Sequence, residues 1–344
     1  MTRRNPVFTC VEGRALCVFL LAVTALAPVG VRAQGQGSVI RLDPAFDAIV
    51  PSGAMVETLR DGFGFINGIL WVREGAASHL LVSDIPANIV HKWTPTGGIT
   101  PFLERPDWTT VTEARPPNVR FGANGMVMDR EGRIVYAAEA DRAVVRLERD
   151  GRRTILADRY EGKRLNSPND LVFRSDGSLY FTDPSGGGRF GTWDLKKELP
   201  YQGVFLLKDG QLRLVLQDLD RPNGIVLPPD EKSLFVNDSN KRVIMRYDVQ
   251  SDGAVTNGRL FVDMSTGKGA GNPDGMRFDA NGNLYAVGPG GIWVINPSGK
   301  PIGMIVPPEN APGFTFGDPD GQTIYMAASS KLARIRVNVP GANR

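Results

Sequence analysis

Residues 169–183 read Asn169-Asp170-Leu171-Val172-Phe173-Arg174-Ser175-Asp176-Gly177-Ser178-Leu179-Tyr180-Phe181-Thr182-Asp183. Two apolar runs flank a tight turn at Ser175-Asp176-Gly177, and polar residues stand at both ends of the stretch. Apolar runs of this length, joined by an Asp-Gly turn, are typical of a β-hairpin. The stretch therefore predicts two antiparallel strands. Asn169 and Asp170 lie where the first strand begins, and Asp183 lies where the second strand ends.

The same plan occurs six times along the chain. Each copy has a polar start, an apolar strand, a turn containing Asp, Gly or Asn, and a second apolar strand. The copies span residues 67–84, 124–139, 169–183, 223–238, 274–288 and 313–327. Further strand pairs separate them, so each unit holds about four strands in about 50 residues, as propeller blades do. We therefore predict an all-β fold, a six-bladed β-propeller with four-stranded blades around a central channel.

The first 33 residues differ from the repeats. Arg3 and Arg4 precede an apolar run at 15–27, and a small residue, Ala33, follows, which is the pattern of a secretory signal peptide. The run is shorter than the roughly 20 residues that a membrane span needs. We therefore expect cleavage after about Ala33, a periplasmic or secreted protein and no stable membrane anchor. Residues 34–344 would form a single propeller domain, in which 34–55 either wrap the ring or complete a blade.

Charge and cysteine content narrow the class of protein. Cys10 and Cys17 both lie in the predicted signal peptide, so the mature chain can form neither a disulfide nor a thiolate metal site. The four arginines and one glutamate of residues 1–33 account for the whole net charge of +3. No basic tract remains, which excludes nucleic acid as an expected partner. The only two histidines, His79 and His91, fall in a turn and an outer strand and are interpreted as structural.

Equivalent positions of propeller blades face one another across the channel. The starts of the first strands hold Asn67, Asn124, Asn169, Asn223 and Asp274. The second strands end at Asp84, Glu139, Asp183 and Asp238. A single Asn-Gly pair is also a turn signal, but recurrence in register at five starts indicates a shared site. Amide and carboxylate oxygens suit a hard cation: Ca²⁺ is favoured, Mg²⁺ or Mn²⁺ can substitute, and Zn²⁺ is the least favoured.

Several of these motifs resemble those of the senescence-marker-protein/gluconolactonase/luciferin-regenerating-enzyme family, over nearly all of residues 40–340. The motifs are Ser83-Asp84-Ile85-Pro86-Ala87-Asn88, Asn166-Ser167-Pro168-Asn169-Asp170, Arg221-Pro222-Asn223-Gly224 and Asn272-Pro273-Asp274-Gly275-Met276. The resemblance implies a six-bladed propeller with one catalytic divalent cation in the channel. Similarity to the bacterial gluconolactonase-type members implies a small-molecule lactone as the substrate.

The resemblance also implies roles for individual residues. The cation ligands would be Asn169, Asn223 and Asp238, and Asp170 would transfer a proton or position water. The fourth family ligand is a glutamate, which Asn67 replaces here, so one negative charge is lost and the cation should bind more weakly. We expect substrate contacts from Arg120, Asn124, Glu139 and Asp274.

The predicted function is metal-dependent hydrolysis of a lactone, with a sugar lactone such as gluconolactone as the expected substrate. The cation would polarise the ring carbonyl, while Asp170 activates water and Asp238 holds the cation. Two alternatives stay open: hydrolysis of a phosphotriester or aryl ester in the same fold, and a non-catalytic exported propeller that binds a sugar or a protein. The stretch from Ser185 to Tyr201 is either a lid or a surface loop. The sequence leaves the natural substrate, the physiological metal and the oligomeric state open.

Overall fold

The repeated hairpins form the inner strands of six antiparallel sheets. The computed structural model describes residues 36–109, 121–185 and 197–342. Two strands precede the first repeat, β1 (Ser38–Arg41) and β2 (Glu57–Arg60). Short 3₁₀ helices lie at Pro44–Ala48 and Gly75–Ala77.

Each sheet forms one blade of the ring. The first blade consists of β3 (Ile66–Val72), β4 (His79–Asp84), β5 (Ile89–Thr94) and β6 (Gly98–Glu104). The second blade consists of β7 (Ala123–Met128), β8 (Ile134–Ala138), β9 (Ala143–Leu147) and β10 (Arg153–Ala157), and a small separate hairpin of β11 (Arg159–Tyr160) and β12 (Lys163–Arg164) follows it. The third blade consists of β13 (Leu171–Phe173), β14 (Leu179–Asp183), β15 (Gly203–Lys208) and β16 (Gln211–Leu216). The fourth blade consists of β17 (Pro222–Val226), β18 (Ser233–Asp238), β19 (Val243–Val249) and β20 (Val255–Asp263). The fifth blade contains β21 (Met276–Phe278), β22 (Leu284–Gly288), β23 (Gly291–Ile295) and β24 (Pro301–Val306). The sixth blade contains β25 (Gly313–Gly317), β26 (Thr323–Ala328) and β27 (Lys331–Arg336).

The N-terminal segment completes the ring. Strand β1 pairs with β24 and becomes the fifth strand of the fifth blade. Strand β2 pairs with β27 and supplies the fourth strand of the sixth blade. The predicted six-bladed all-β propeller is thereby confirmed, and the open question about the N-terminal residues has a definite answer, because 38–41 extend one blade and 57–60 complete another.

The second strand of each blade is buried along almost its whole length because both of its faces are covered. All six residues of β4, β18 and β26 are buried. The apolar clusters join neighbouring blades, as when Leu81 of the first blade packs with Met126 and Tyr136 of the second. Burial on both faces removes the alternation of polar and apolar residues that a half-exposed strand would show. The predicted hairpin turns also occur, and Gly132 and Gly177 take the positive φ angles of +74° and +88°.

The glycines that follow the polar starts of the repeats are required for a different reason. Gly68 and Gly224 lie inside β3 and β17, not in turns. A Cβ atom on Gly68 would lie 2.0 Å from the carbonyl oxygen of Asn124, and one on Gly224 would lie 2.0 Å from that of Asp274. Each glycine therefore makes room for the backbone of the next blade. The alternative interpretation of these Asn-Gly pairs as turns does not hold, because the glycines lie in strands and the constraint is close packing between blades.

The predicted signal peptide lies outside the described residues. Within 36–109, 121–185 and 197–342, no helix has the length and apolar character needed to cross a membrane.

Candidate active site

The channel opens into a polar cavity at the end where the inner strands begin, which we call the upper cavity. Its enclosed part has a volume of about 20 Å³, and the rest is open to solvent. The polar side chains that line it come from the first, second, third and fifth blades: Asn67, Asn124, Asn169, Asp170, Asp274 and Arg277. The structure thus brings five predicted site residues together, and it adds Arg277.

Asn223, the equivalent residue of the fourth blade, lies beside this cavity. Its Nδ2 atom donates to Ser239 Oγ at 2.9 Å and to the carbonyl oxygen of Pro273 at 3.4 Å, next to Asp274. Its Oδ1 atom is buried and has no hydrogen-bond partner in the described part of the chain. Since a buried carbonyl oxygen without a partner is costly, this atom is a candidate ligand for a cation.

The other amides are also arranged to offer oxygen. Asn124 donates through Nδ2 to Glu139 Oε1 at 3.0 Å, which fixes its amide nitrogen and leaves Oδ1 as an acceptor. The side chains of Asn67 and Asn169 form no hydrogen bond with the described part of the chain. Among the described residues, no group of three or more His, Cys, Asp or Glu side chains could hold a metal ion. The donor set of amide oxygens with the Asp274 carboxylate therefore fits a hard cation and not zinc.

Asp238 does not belong to this set, which corrects its predicted role. It is fully buried, and its carboxylate accepts backbone N–H bonds from Asp220 at 2.7 Å, Asn240 at 3.0 Å and Lys241 at 3.1 Å. It does not line the upper cavity. These hydrogen bonds connect Asp220, in the segment before β17, with the turn that follows β18. The carboxylate supplied to the cavity by the fifth blade is Asp274.

The aspartates that end other second strands have the same structural role. Asp84 accepts N–H bonds from Gly64, Phe65 and Ala87, and Asp183 accepts them from Asn166 and Ser167 at 2.8 Å each. Burial raises the pKa of Asp183 to about 7, although these N–H donors oppose the shift. Only the starts of the repeats therefore converge on the channel, whereas these ends hold the connecting segments in place.

The second blade departs from this pattern. Asp107, from the segment that enters the blade, accepts the backbone N–H bonds of Ala140 at 2.8 Å and Asp141 at 2.9 Å. Because Asp107 accepts these bonds, Glu139 does not hold the connecting segment as the equivalent aspartates do. Its side chain instead accepts a hydrogen bond from Asn124. Burial raises the pKa of Glu139 to about 8, although the hydrogen bond from Asn124 opposes the shift. Glu139 is thus a buried carboxyl group that positions a side chain of the upper cavity.

Asp170 occupies the position that glycine holds in the neighbouring blades. Its Oδ1 accepts the N–H of Leu171 at 3.0 Å, and its Oδ2 accepts the N–H of Ile225 in the next blade at 3.1 Å. Burial raises the pKa of this carboxyl group, and the charge of Arg277 opposes that shift. The side chain lines the upper cavity, so it is placed to accept a proton there.

Two further predictions fall on residues outside the described ranges. Arg120, an expected substrate contact, is one of these residues. So are residues 186–196, the larger part of the expected lid or surface loop. Sequence reasoning also missed Arg277, although comparison of the repeats would have found it. It lies three positions after Asp274, where the first four repeats carry leucine or valine.

Known proteins show strong similarity to this chain. Residues 67–330 match the SMP-30/Gluconolactonase/LRE-like region. The gluconolactonase of Zymomonas mobilis is 36% identical over 353 aligned positions, which cover 95% of this chain and 96% of the relative. The structure of a gluconolactonase from Xanthomonas campestris has a TM-score of 0.73 and 29% identity, covering 89% of this chain and 99% of that one. The lactonase drp35 of Staphylococcus aureus is 31% identical over 156 residues, 42% of this chain and 43% of the relative. The matched motifs, the six-bladed ring and these relatives together establish that the chain belongs to the SMP-30/gluconolactonase/LRE family.

Proposed function

We propose that this protein hydrolyses a lactone in the upper cavity with a divalent cation held by Asn67, Asn169, Asn223 and Asp274. The proposal rests on the buried Oδ1 atom of Asn223, which has no hydrogen-bond partner among the described residues. This atom lies beside the amide oxygens and the Asp274 carboxylate of the upper cavity. The lactonase class of enzyme is confirmed by the relatives named gluconolactonase and lactonase. We propose a sugar lactone as the substrate and Ca²⁺ as the cation.

The protein's own groups would have separate roles in the reaction. A bound cation supplies Lewis acidity that polarises the ester carbonyl. Asp170 accepts the proton of the attacking water, and burial makes this carboxylate more basic than an exposed aspartate. The water oxygen bonds to the acyl carbon, the ring C–O bond breaks, and the leaving alkoxide takes up the proton to give a hydroxy acid. Asn124, oriented by Glu139, accepts a hydrogen bond from a substrate hydroxyl.

A cation titration tests the proposal. The protein is stripped with a chelator, then titrated with Ca²⁺, Mg²⁺, Mn²⁺ or Zn²⁺ while proton release from gluconolactone and from dihydrocoumarin is followed. We expect turnover to rise with cation occupancy and to be highest with Ca²⁺. Cation binding without turnover of either lactone would favour a phosphotriester or aryl ester as the substrate. No binding at millimolar cation would favour a non-catalytic sugar- or protein-binding propeller.

Restoring the charge lost at Asn67 should strengthen the site. We expect Asn67→Glu to lower the dissociation constant of Ca²⁺ about tenfold, because a carboxylate attracts the cation more strongly than an amide. Asn67→Gln is the matched control, since it has the same length without the charge. Isothermal titration calorimetry measures both variants. Equal affinities for the two would remove residue 67 from the proposed ligand set.

The raised pKa of Glu139 predicts a pH dependence of stability. Between its ordinary value of 4.5 and about 8, the folded protein holds a proton that the unfolded chain releases, so stability falls as the pH rises through this window. In the presence of chelator, we expect the melting temperature of Glu139→Gln to fall less between about pH 5 and 8 than that of the wild type. Glu104→Gln, an exposed control, should follow the wild type. Identical slopes for all three proteins would contradict the assignment.

We also propose that the protein is exported and cleaved after Ala33. N-terminal sequencing of protein recovered outside the cytoplasm should then begin at Gln34.

A further inference from the structure

The channel has a second cavity at its opposite end, where the inner strands finish, which we call the lower cavity. Its enclosed volume is about 130 Å³, and residues of all six inner strands line it together with Gly341 and Ala342. The lining is mainly apolar and includes the aromatic side chains of Trp71, Phe173, Phe278 and Phe316. Concave surfaces with a mainly apolar lining and a few polar groups are typical of small-molecule sites.

The two ends of the channel differ in charge. The upper cavity is lined by the carboxylates of Asp170 and Asp274. The described lining of the lower cavity contains no aspartate or glutamate, but it contains Arg73 and Arg277. A cation is therefore favoured at the upper end, and an anion at the lower end.

Arg277 marks the boundary between the two cavities and lines both. It belongs to a set of equivalent positions, three residues after the start of each repeat, that line the lower cavity in every blade. These residues are Leu70, Val127, Val172, Val226, Arg277 and Phe316. Arginine is thus the one charged residue in a ring of aliphatic side chains and one phenylalanine.

The guanidinium group of Arg277 has few partners among the described residues, although its charge acts on the carboxyl group of Asp170. Its Nη1 atom donates one hydrogen bond, to the carbonyl oxygen of Met276 at 2.7 Å. It forms no ion pair within 4.0 Å with any residue of the described ranges. The side chain is only partly exposed. A partly buried guanidinium with spare donors is suited to a bidentate bond with a carboxylate.

From these observations we propose that the lower cavity binds an amphipathic carboxylate, with its head group on Arg277 and its aliphatic chain against the apolar lining. A sugar lactone does not fit the same description, because it is uncharged and polar over most of its surface. The lower cavity is therefore a second ligand site, with chemistry opposite to that of the upper cavity.

Decanoate is the probe, and decanol is its neutral counterpart. In chelator, so that no cation can attract the carboxylate, we expect decanoate to bind with a dissociation constant of about 10–100 µM. Trp71 lies in the lining, so its fluorescence should change on binding, and Trp71→Phe should lose that change. We expect decanol to bind about tenfold more weakly, because it lacks the charge.

Variants locate the site. Arg277→Met removes the charge and keeps an unbranched, though shorter, side chain, and it should weaken decanoate binding about tenfold while leaving decanol binding unchanged. Asp274→Ala, at the upper end, should bind decanoate as the wild type does. Equal binding of decanoate and decanol by the wild type, or no saturable binding of decanoate, overturns the proposal even if Arg277→Met does not fold. Loss of decanoate binding in Asp274→Ala would place the ligand in the upper cavity instead. Lactonase activity is not used as a readout, so the proposed function can fail without affecting this result.

Discussion

Asp274→Asn should lower kcat/KM for gluconolactone about a thousandfold, because the upper cavity loses the carboxylate proposed to hold the cation. The affinity for Ca²⁺ should fall in the same variant. The melting temperature should change little in chelator, because the substitution keeps the size of a side chain at the cavity wall. Proton-release kinetics and calorimetric Ca²⁺ titration measure the two effects.

Asp238→Asn is the matched control, since it makes the same substitution one blade earlier. Its carboxylate accepts three backbone N–H bonds in a fully buried position, and an amide cannot accept them all. We expect a loss of about 2–4 kcal/mol in unfolding free energy. Below its melting temperature, the variant should keep Ca²⁺ affinity within about threefold of the wild type. If Asp238→Asn stays folded but loses Ca²⁺, while Asp274→Asn retains it, the cation belongs with Asp238.

Gly224→Ala should destabilise the ring by about 3 kcal/mol or more, because its Cβ atom would lie 2.0 Å from the carbonyl oxygen of Asp274. That overlap can be relieved only if the backbone of the fifth blade moves. The movement would displace Asp274, so Ca²⁺ affinity should fall together with stability. Denaturant unfolding and Ca²⁺ titration measure the two consequences.

Gly53→Ala provides the control for the loss of a glycine. A Cβ atom at position 53 would have no other atom within 4 Å, and its φ angle is not in the positive range. We expect its unfolding free energy to stay within about 0.5 kcal/mol of the wild type. A similarly small effect of Gly224→Ala would mean that the blades can separate without cost, contrary to the close packing described here.

The hairpins could be predicted from the sequence because their determinants are local. Each turn and its two apolar strands lie within about 15–18 residues, and periodic recurrence gave the number of blades. Asp238 and Asp274 could not be distinguished in this way. The N–H group that binds Asp238 most closely belongs to Asp220, in the segment that precedes the blade. Spacing along the chain does not reveal such a contact.

The same limit applies to two other features of the candidate site. The need for glycine at position 224 arises from the carbonyl oxygen of Asp274, fifty positions further along the chain. The release of Glu139 from a structural role depends on Asp107, more than thirty residues before the N–H groups that it binds. Asp107 gave no sign of this role in the sequence. Side chains whose function depends on another blade can be assigned only when the packing of the blades is known.

The pairing of β2 with β27 has a consequence for how the protein is made. The ring cannot close until a strand near the end of the chain can reach one near the beginning, as Glu57 does with Arg334. During synthesis, β2 therefore has no strand to pair with until β27 has been made. Closure of the ring is delayed until nearly the whole chain has emerged from the ribosome. The export that we propose would be compatible with that delay, because an unclosed chain can still be threaded through a secretion pore. The closed propeller would then first form on the far side of the membrane.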